Sequence, residues 1–349
     1  MSFPCRAFSA FLLCAVVLEI SSALAGPYVV TAPEIKEANP ITSEPDQFTL
    51  QFYLDNDGGI GMPFNGTDRH YTSGIKFALA HHPKWAEQLG QWIPGTHDGS
   101  RFAGGYTFGQ AIYTPENLRQ HELLFNDRPY AGFLYVGAFW QRADASILDN
   151  VELDFGVTGD ISLASLAQRF VHQEADFQTP AGWANQLKNE PGLNLTYSRK
   201  WKFEVWKSSD SNFAIQAIPE AGATIGSFNR HAVGGATVRV GWNLPDDFGP
   251  GRIELIQSST AFPKEGFGFY FYGRAAGRAV EHNTFLEGNT FESSHSVEER
   301  PLVGEWQVGF LLTFDDTFQF GYGYTHMTEE FYGQRSPNNF GTWTTTIFF

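Results

Sequence analysis

The chain of 349 residues has almost no cysteine: Cys5 and Cys14 are the two it holds, and both fall near its start. Past that segment there is no cysteine to form a disulfide, bind a metal as thiolate or act as a nucleophile. Long apolar runs are missing as well. Beyond the N-terminus nothing approaches the ~20 residues that a membrane-crossing helix needs, so helical spans are excluded. Charge is scarce, at 17% of residues against about 25% in an average soluble domain. Cations are scarcest: 23 Lys and Arg face 38 Asp and Glu, for a net charge of -15. Nucleic-acid phosphates require Lys and Arg, so a nucleic-acid partner is excluded.

What the chain has instead is 42% hydrophobic and 16% aromatic residues, with 33 Phe and 36 Gly, at a mean hydropathy of -0.25. That is far more apolar material than a disordered segment carries. Residues 1–25 read as a secretory signal peptide, with Arg6 in the basic region, an apolar stretch over 8–18 and Ala23-Leu24-Ala25 as the cleavage site. The mature chain is then expected to hold no cysteine. Residues 26–45, with four prolines, read as a periplasmic lead-in, and 46–349 as one domain.

That domain alternates with period two. Over 48–57, Phe48, Leu50, Phe52 and Leu54 form one phase and Thr49, Gln51, Tyr53, Asp55 and Asp57 the other. Val151, Leu153, Phe155 and Val157 alternate in the same way, as do Phe318, Phe320, Tyr322 and Tyr324 against Gln319, Gly321 and Gly323. A helix would need apolar residues three and four apart. About twelve such segments occur, near 47–57, 70–81, 101–113, 129–142, 150–160, 192–206, 213–226, 231–243, 266–277, 301–314, 317–327 and 339–349. Each suits a tilted strand of roughly nine to eleven residues or somewhat more, and an even number of strands is the rule for bacterial outer-membrane barrels. A soluble β-sandwich also alternates. The apolar-against-Thr/Gly/Gln contrast and an alternating last strand ending in Phe348-Phe349, like the insertion signal read by the barrel assembly machinery, favour a transmembrane antiparallel β-barrel of about 12 strands in the outer membrane.

A helix is expected over 160–174, in the external connection 161–191, with Ser162 as its cap and Ile161, Leu163, Leu166 and Phe170 as its apolar set. With both termini periplasmic, parity gathers Asn56, Asp57, Thr72, Arg119, Asp127, Arg128, Gln168 and His172 at the external end. Parity also points Asp57 and Thr72 into the lumen, with Asn56 opposite unless Gly58-Gly59 carries a bulge. On composition alone Asn56-Asp57-Gly58-Gly59 reads as an ordinary turn and His172 as a loop histidine. Two long connections, 82–100 and 244–265, fall on the periplasmic side, where short turns belong. They are expected to fold into the lumen, or the strand count is off.

Several motifs, in order along the chain, are familiar. They are Leu54-Asp55-Asn56-Asp57, Thr67-Asp68-Arg69-His70-Tyr71-Thr72-Ser73-Gly74, Ile112-Tyr113-Thr114-Pro115 and Asp127-Arg128-Pro129-Tyr130-Ala131-Gly132. Gln168 with His172, Gly182-Trp183, Asn189-Glu190-Pro191-Gly192 and Asp246-Asp247-Phe248-Gly249-Pro250 follow. Together they resemble the outer-membrane lipid A 3'-O-deacylase family, twelve-stranded barrels that remove acyl chains from the lipid A of lipopolysaccharide with calcium.

The resemblance implies an active site at the outer rim built from Asn56, Asp57, Thr72, Gln168 and His172. His172 would deprotonate a water. Asp57, with Asn56, would hold Ca²⁺, a hard cation that prefers oxygen ligands and polarises an ester carbonyl. Asn56 and Thr72 would complete that site or bind the oxyanion, and Gln168 would orient His172 or the substrate. Arg119 is the candidate for a lipid A phosphate, and Arg128 is a second substrate-binding candidate. Gln178 stands where a carboxylate is expected. The competing readings are a passive porin-like barrel, an outer-membrane phospholipase or esterase with a Ser-His pair, and a soluble periplasmic β protein; Ser294-His295-Ser296 superficially suggests such a pair but reads as loop residues.

Overall fold

A computed structural model describes residues 47–58, 69–90, 92, 96, 99–260 and 265–349. The expected signal peptide and lead-in, and Thr67-Asp68 of the second motif, lie outside the described residues.

The strands are β1 (Thr49–Asn56), β2 (His70–His81), β3 (Arg101–Thr114), β4 (Ala131–Ala143), β5 (Ile147–Thr158), β6 (Glu190–Trp201), β7 (Phe203–Lys207), β8 (Phe213–Gly226), β9 (Asn229–Trp242), β10 (Phe267–Asn283), β11 (Leu302–Phe314), β12 (Phe318–Met327) and β13 (Asn338–Phe348). All neighbouring pairs are antiparallel. β1 closes on β13, and β6 closes on β8. β6 and β7 are one stave: Lys200 pairs with Glu220 and Phe203 with Ala217, in one continuous register interrupted at Lys202. The barrel is therefore closed and twelve-stranded. Closure leaves no open edge, which a lipid solvent would not tolerate.

Burial follows the alternation. In β12, Gln319, Thr325 and Met327 are buried, while Phe318, Phe320, Tyr322 and Tyr324 are partly exposed. Phe108, Val136, Phe155, Val240, Phe271 and Val308 are exposed on the outer wall. Of the expected strands, β10 departs furthest from its bounds and runs on to Asn283, past a register shift between Val280 and His282.

The lumen is polar and filled. Charges buried there are paired, as a low-dielectric site demands. Lys76 meets Glu152 at 2.6 Å, Asp149 takes both Arg142 and Arg199 at 2.6 Å, and Arg274 bridges Glu220 and Glu305. The long connection after β9 turns up into this lumen. The Gln257 N–H donates to Tyr53 Oη (2.8 Å), Lys76 Nζ donates to Ile253 O (2.9 Å), Gln51 Nε2 donates to Ser259 Oγ (2.9 Å), and Arg252 pairs with Glu305 (2.7 Å). At the other end Phe133, Phe228 and Phe285 close the barrel with Tyr113, whose ring stacks on Phe285 at 4.7 Å. Between the two closures lies a cavity of about 180 Å³, room for a few waters. Among the described residues the connection after β9 and the paired charges occupy much of the lumen.

The described part of the other long connection does not enter the lumen. It forms α1 (Lys84–Gly90), which packs on the outer wall. The expected helix over 160–174 is in two parts: a 3₁₀ turn (Asp160–Ser162) and α2 (Ala164–Glu174). Ser162 is not the cap. Leu163, at φ 58°, stands between the two, and Ser162 Oγ instead donates to Gly159 O at 2.5 Å. A last short helix, α3 (Thr284–Glu287), follows β10.

Candidate active site at the external rim

β1 ends in a tight structure. The Asp57 N–H donates to Thr72 O (3.1 Å), Asn56 Oδ1 accepts from the Gly58 N–H (2.9 Å), and Asp57 Oδ2 accepts from the Arg69 N–H (2.6 Å). The chain bends at Asp57-Gly58 as composition leads one to expect, with Gly59 outside the described residues, and Asp57 is buried against the start of β2.

Parity misplaces Thr72. The β2–β3 register slips between Tyr71 and Ser73, so Thr72 is the extra residue of a bulge. Below the slip Lys76 faces the lumen, and above it Tyr71 does, donating its hydroxyl to Asp55 at 2.9 Å. Thr72 is turned to the opposite side. Its Oγ1 lies 2.7 Å from Thr114 Oγ1, and Thr114 shares the outward phase of Gln110 and Ile112. Asn56 shares the outward phase of β1 with Leu50, Phe52 and Leu54. The bulge thus brings Asn56 and Thr72 to one face, the outer one.

α2 lies over the outer side of the neighbouring strands β3 and β4. Gln110 Nε2 donates to Ser162 O (2.7 Å), and Ile112 packs with Tyr130, Ala164 and Trp183. The approach is close enough to require Gly132, where a Cβ would fall 2.1 Å from Ser162 Oγ and 2.3 Å from Ala164 Cβ. The residues α2 buries are Ala164, Gln168 and His172, a single stripe at i, i+4 and i+8. The opposite stripe is apolar and open: Leu163 is 51% exposed, Leu166 64% and Phe170 63%. An ordinary surface helix buries apolar residues and exposes polar ones. In α2 the buried stripe instead holds Gln168 and His172, and it faces the barrel wall.

The polar stripe is oriented by fixed partners. His172 Nδ1 lies 2.5 Å from the main-chain oxygen of Gln178. A carbonyl only accepts, so Nδ1 carries the proton and the basic lone pair is on Nε2. Trp183 Nε1–H donates to Gln168 Oε1 at 2.9 Å. That bond fixes the amide, and it leaves Gln168 Nε2 a buried donor with no hydrogen-bond partner among the described residues. Such a buried, unsatisfied donor is uncommon in a folded protein and calls for a partner.

Arg119 joins this group from the connection after β3. Its Nε donates to Gln178 Oε1 at 2.5 Å, and the Ala181 N–H donates to Leu118 O (2.8 Å), which ties the two external connections together. Gln178 thus serves His172 with its main chain and Arg119 with its side chain. Asp127, in the same connection as Arg119, accepts from the Glu116 and Arg128 N–H groups at 2.8 Å, and burial raises its carboxyl above the usual range.

Arg128 belongs elsewhere. It is fully buried on the lumen side, its Nη1 is 3.0 Å from Glu330 Oε2, and its guanidinium covers the Tyr113 ring at 4.7 Å. It is not displayed to a surface substrate. The Ser294-His295 pair forms no nucleophilic dyad: Ser294 Oγ accepts from the Asn289 N–H (2.8 Å), and His295 Nε2 donates to Asp127 O (2.7 Å). Reasoning from sequence gave no role to Thr114 or Trp183, which the resemblance included only as parts of motifs, although a threonine in the outward phase of Gln110 and Ile112 was a signal.

The family model described as outer membrane protein LpxR matches residues 11–349. The chain belongs to the LpxR family of outer-membrane proteins. Among solved structures, LpxR from Salmonella typhimurium superposes with a TM-score of 0.70 at 22% identity, covering 86% of this chain and 100% of that one. The β domain of the Bordetella autotransporter BrkA matches with a TM-score of 0.41 at 9% identity, over 86% of this chain and 98% of that one. The translocator domain of the autotransporter NalP from Neisseria meningitidis matches with a TM-score of 0.39 at 9% identity, over 98% of this chain and 96% of that one. No curated protein matches in sequence. The LpxR family and its barrel place the chain in the outer membrane.

Proposed function

We propose that this LpxR-family barrel hydrolyses the 3'-linked acyl ester of lipid A at the outer face of its external rim. One observation carries the reading: the inverted amphipathicity of α2, which holds His172 and Gln168 against the barrel wall and offers an apolar stripe to the membrane. A substrate reaching that cleft comes from the lipid side, with acyl chains along Leu163, Leu166 and Phe170 and its ester beside the polar stripe.

The residues supply the proton transfers and an oxyanion donor for an ester hydrolysis. Nε2 of His172 takes a proton from a water, which attacks the acyl carbon. Nδ1–H stays on Gln178 O and holds the ring in place as it becomes cationic. The amide N–H of Gln168 donates to the developing oxyanion, a donor already desolvated and aimed before substrate arrives. His172 then returns the proton to the sugar oxygen as the acyl–oxygen bond breaks, leaving a free fatty acid and a hydroxyl. Arg119, at the exposed mouth, is placed to meet a phosphate of the glucosamine backbone.

The calcium reading rests on donor chemistry. Asp57 contributes a carboxylate, Asn56 an amide oxygen, and Thr72 a carbonyl and a hydroxyl, all hard oxygens that fit Ca²⁺. Among the described residues no three His, Cys, Asp or Glu gather for a metal, so the ion would rely on carbonyl, amide and water oxygens. When bound it would supply Lewis-acid polarisation of the ester carbonyl.

The test is purified barrel in detergent with hexa-acylated lipid A, read by release of free fatty acid. Activity that chelator removes and Ca²⁺ restores is expected. Release unaffected by chelator would overturn the calcium reading alone, and no release from a folded barrel would overturn the hydrolase.

A further inference from the structure

α1 is the second feature on the outer wall, and nothing in the hydrolysis uses it. Its residues fall on three faces. Ala86 and Gly90 are buried against the wall, and Lys84, Glu87 and Gln88 are exposed and polar. Trp85 (39% exposed), Leu89 (53%) and Trp92 (86%) form an apolar stripe at i, i+4 and i+7. The helix is fixed to the outer side of the barrel, not to its lumen. Trp140 Nε1–H donates to Ala86 O at 2.9 Å, and the Trp85 ring occupies the place a Cβ on Gly104 would take, 2.4 Å away. Gly104 has the outward phase of Tyr106 and Phe108, while its neighbour Gly105 abuts Phe139 of the luminal cluster.

α1 and α2 lie on the same two strands, β3 and β4, at opposite ends. Gly104 beneath α1 and Ile112 beneath α2 are eight residues apart, roughly 27 Å along the strand and about 20 Å along the barrel axis at the usual tilt. That is close to the height of the apolar band of an outer-membrane barrel, about 25 Å. The strip between them is exposed and apolar, with Tyr106, Phe108 and Val136. The apolar stripe of α1 therefore continues the lipid-facing wall at its periplasmic margin.

We propose that α1 and the turn carrying Trp92 are an interfacial anchor seated in the periplasmic phospholipid leaflet, directly beneath the candidate active site. Trp85, Leu89 and Trp92 sit at the boundary between acyl chains and headgroups, where aromatic side chains concentrate. Lys84, Glu87 and Gln88 face the headgroups and water, as in a helix lying in the membrane plane. The anchor holds the β3–β4 sector at fixed depth, and so sets the height of α2 in the opposite leaflet. This rests on the outer-membrane barrel and not on the hydrolytic reading.

The test uses the full chain with Cys5→Ser and Cys14→Ser, so that one added cysteine is the unique label site. Nitroxide is placed at Leu89→Cys and, separately, at Trp92→Cys. Val308→Cys on the lipid-facing wall and Ser209→Cys in the exposed β7–β8 turn are the references, all in phosphatidylethanolamine/phosphatidylglycerol vesicles. Heat-modifiable gel mobility confirms that each variant is a folded barrel. The ratio of collision with oxygen to collision with a water-soluble nickel chelate is the readout. The expected ratio at Leu89 is several-fold above that at Ser209 and approaches that at Val308, with Trp92 between. Ratios at both positions equal to that at Ser209 would overturn the anchor, whatever the protein does to lipid A.

Discussion

The main-chain oxygen of Gln178 lies 2.5 Å from Nδ1 of His172, while the side chain of the same glutamine holds Arg119. The two functions are separable because one is backbone and the other is not. Gln178→Ala is expected to leave kcat nearly unchanged, since the carbonyl remains. It should raise KM a few-fold, because Arg119 loses the hydrogen bond that holds it at the mouth. Steady-state kinetics on lipid A decide this; a fall in kcat with KM unchanged would place the side chain in the chemistry instead.

Gln168 is the oxyanion donor in this mechanism, so its loss should act on kcat. Gln168→Ala is expected to lower kcat by about 10²–10³, the usual effect of removing one such donor. Trp183→Phe keeps the packing and removes the N–H that fixes the amide. It should cost less, on the order of tenfold, with the barrel's heat-modifiable mobility unchanged.

The two arginines should separate activity from stability. Arg119→Ala removes an exposed side chain and should weaken substrate binding without altering the unfolding of the barrel. Arg128→Ala leaves Glu330 buried with the Asn338 amide but without its ion-pair partner, a class of change that costs about 3–5 kcal/mol. A lowered urea midpoint for Arg128→Ala and an unchanged one for Arg119→Ala is the expected pattern.

Glu299, in the external connection after α3, carries a pH dependence of its own. Burial, with Glu287 nearby, pushes its carboxyl up to about 7, against the opposing pull of His282 and Arg230. A carboxyl whose folded pKa is raised stabilises the fold when protonated. That contribution is whole below the unfolded value, near 4.3, and is lost as pH rises through about 7. Amide exchange in residues 288–301 should therefore quicken from pH 5 to pH 8 beyond its intrinsic rise. Glu299→Gln should remove the excess.

The barrel is legible because period two is a property of the chain itself: each of the twelve expected strands is found, and the 192–206 segment joins β6 and β7 across Lys202. Thr72 is misread because a bulge exists only in the pairing of two strands, and one extra residue moves the side chain to the other face. Arg128 is misread for a related reason. Its place in the chain puts it at the external end but does not say whether it turns to lumen or lipid. The inversion of α2 was in the sequence, since Ala164, Gln168 and His172 recur at four while Leu163, Leu166 and Phe170 fall opposite. Its meaning depends on which face meets the wall, and that contact is tertiary. The two long periplasmic connections show the same limit: one fills the lumen through its polar groups, and the other lies outside on Trp85 and Trp140.

The most direct measurement is the lipid A of a bacterium that makes the hexa-acylated form, read by mass spectrometry after expression of the wild-type chain or His172→Ala. The expected result is loss of the 3'-linked acyl or acyloxyacyl group with wild type, and intact lipid A with His172→Ala at equal levels of heat-modifiable barrel. Intact lipid A with both, or 3'-deacylation by both, would contradict hydrolysis by the His172 site.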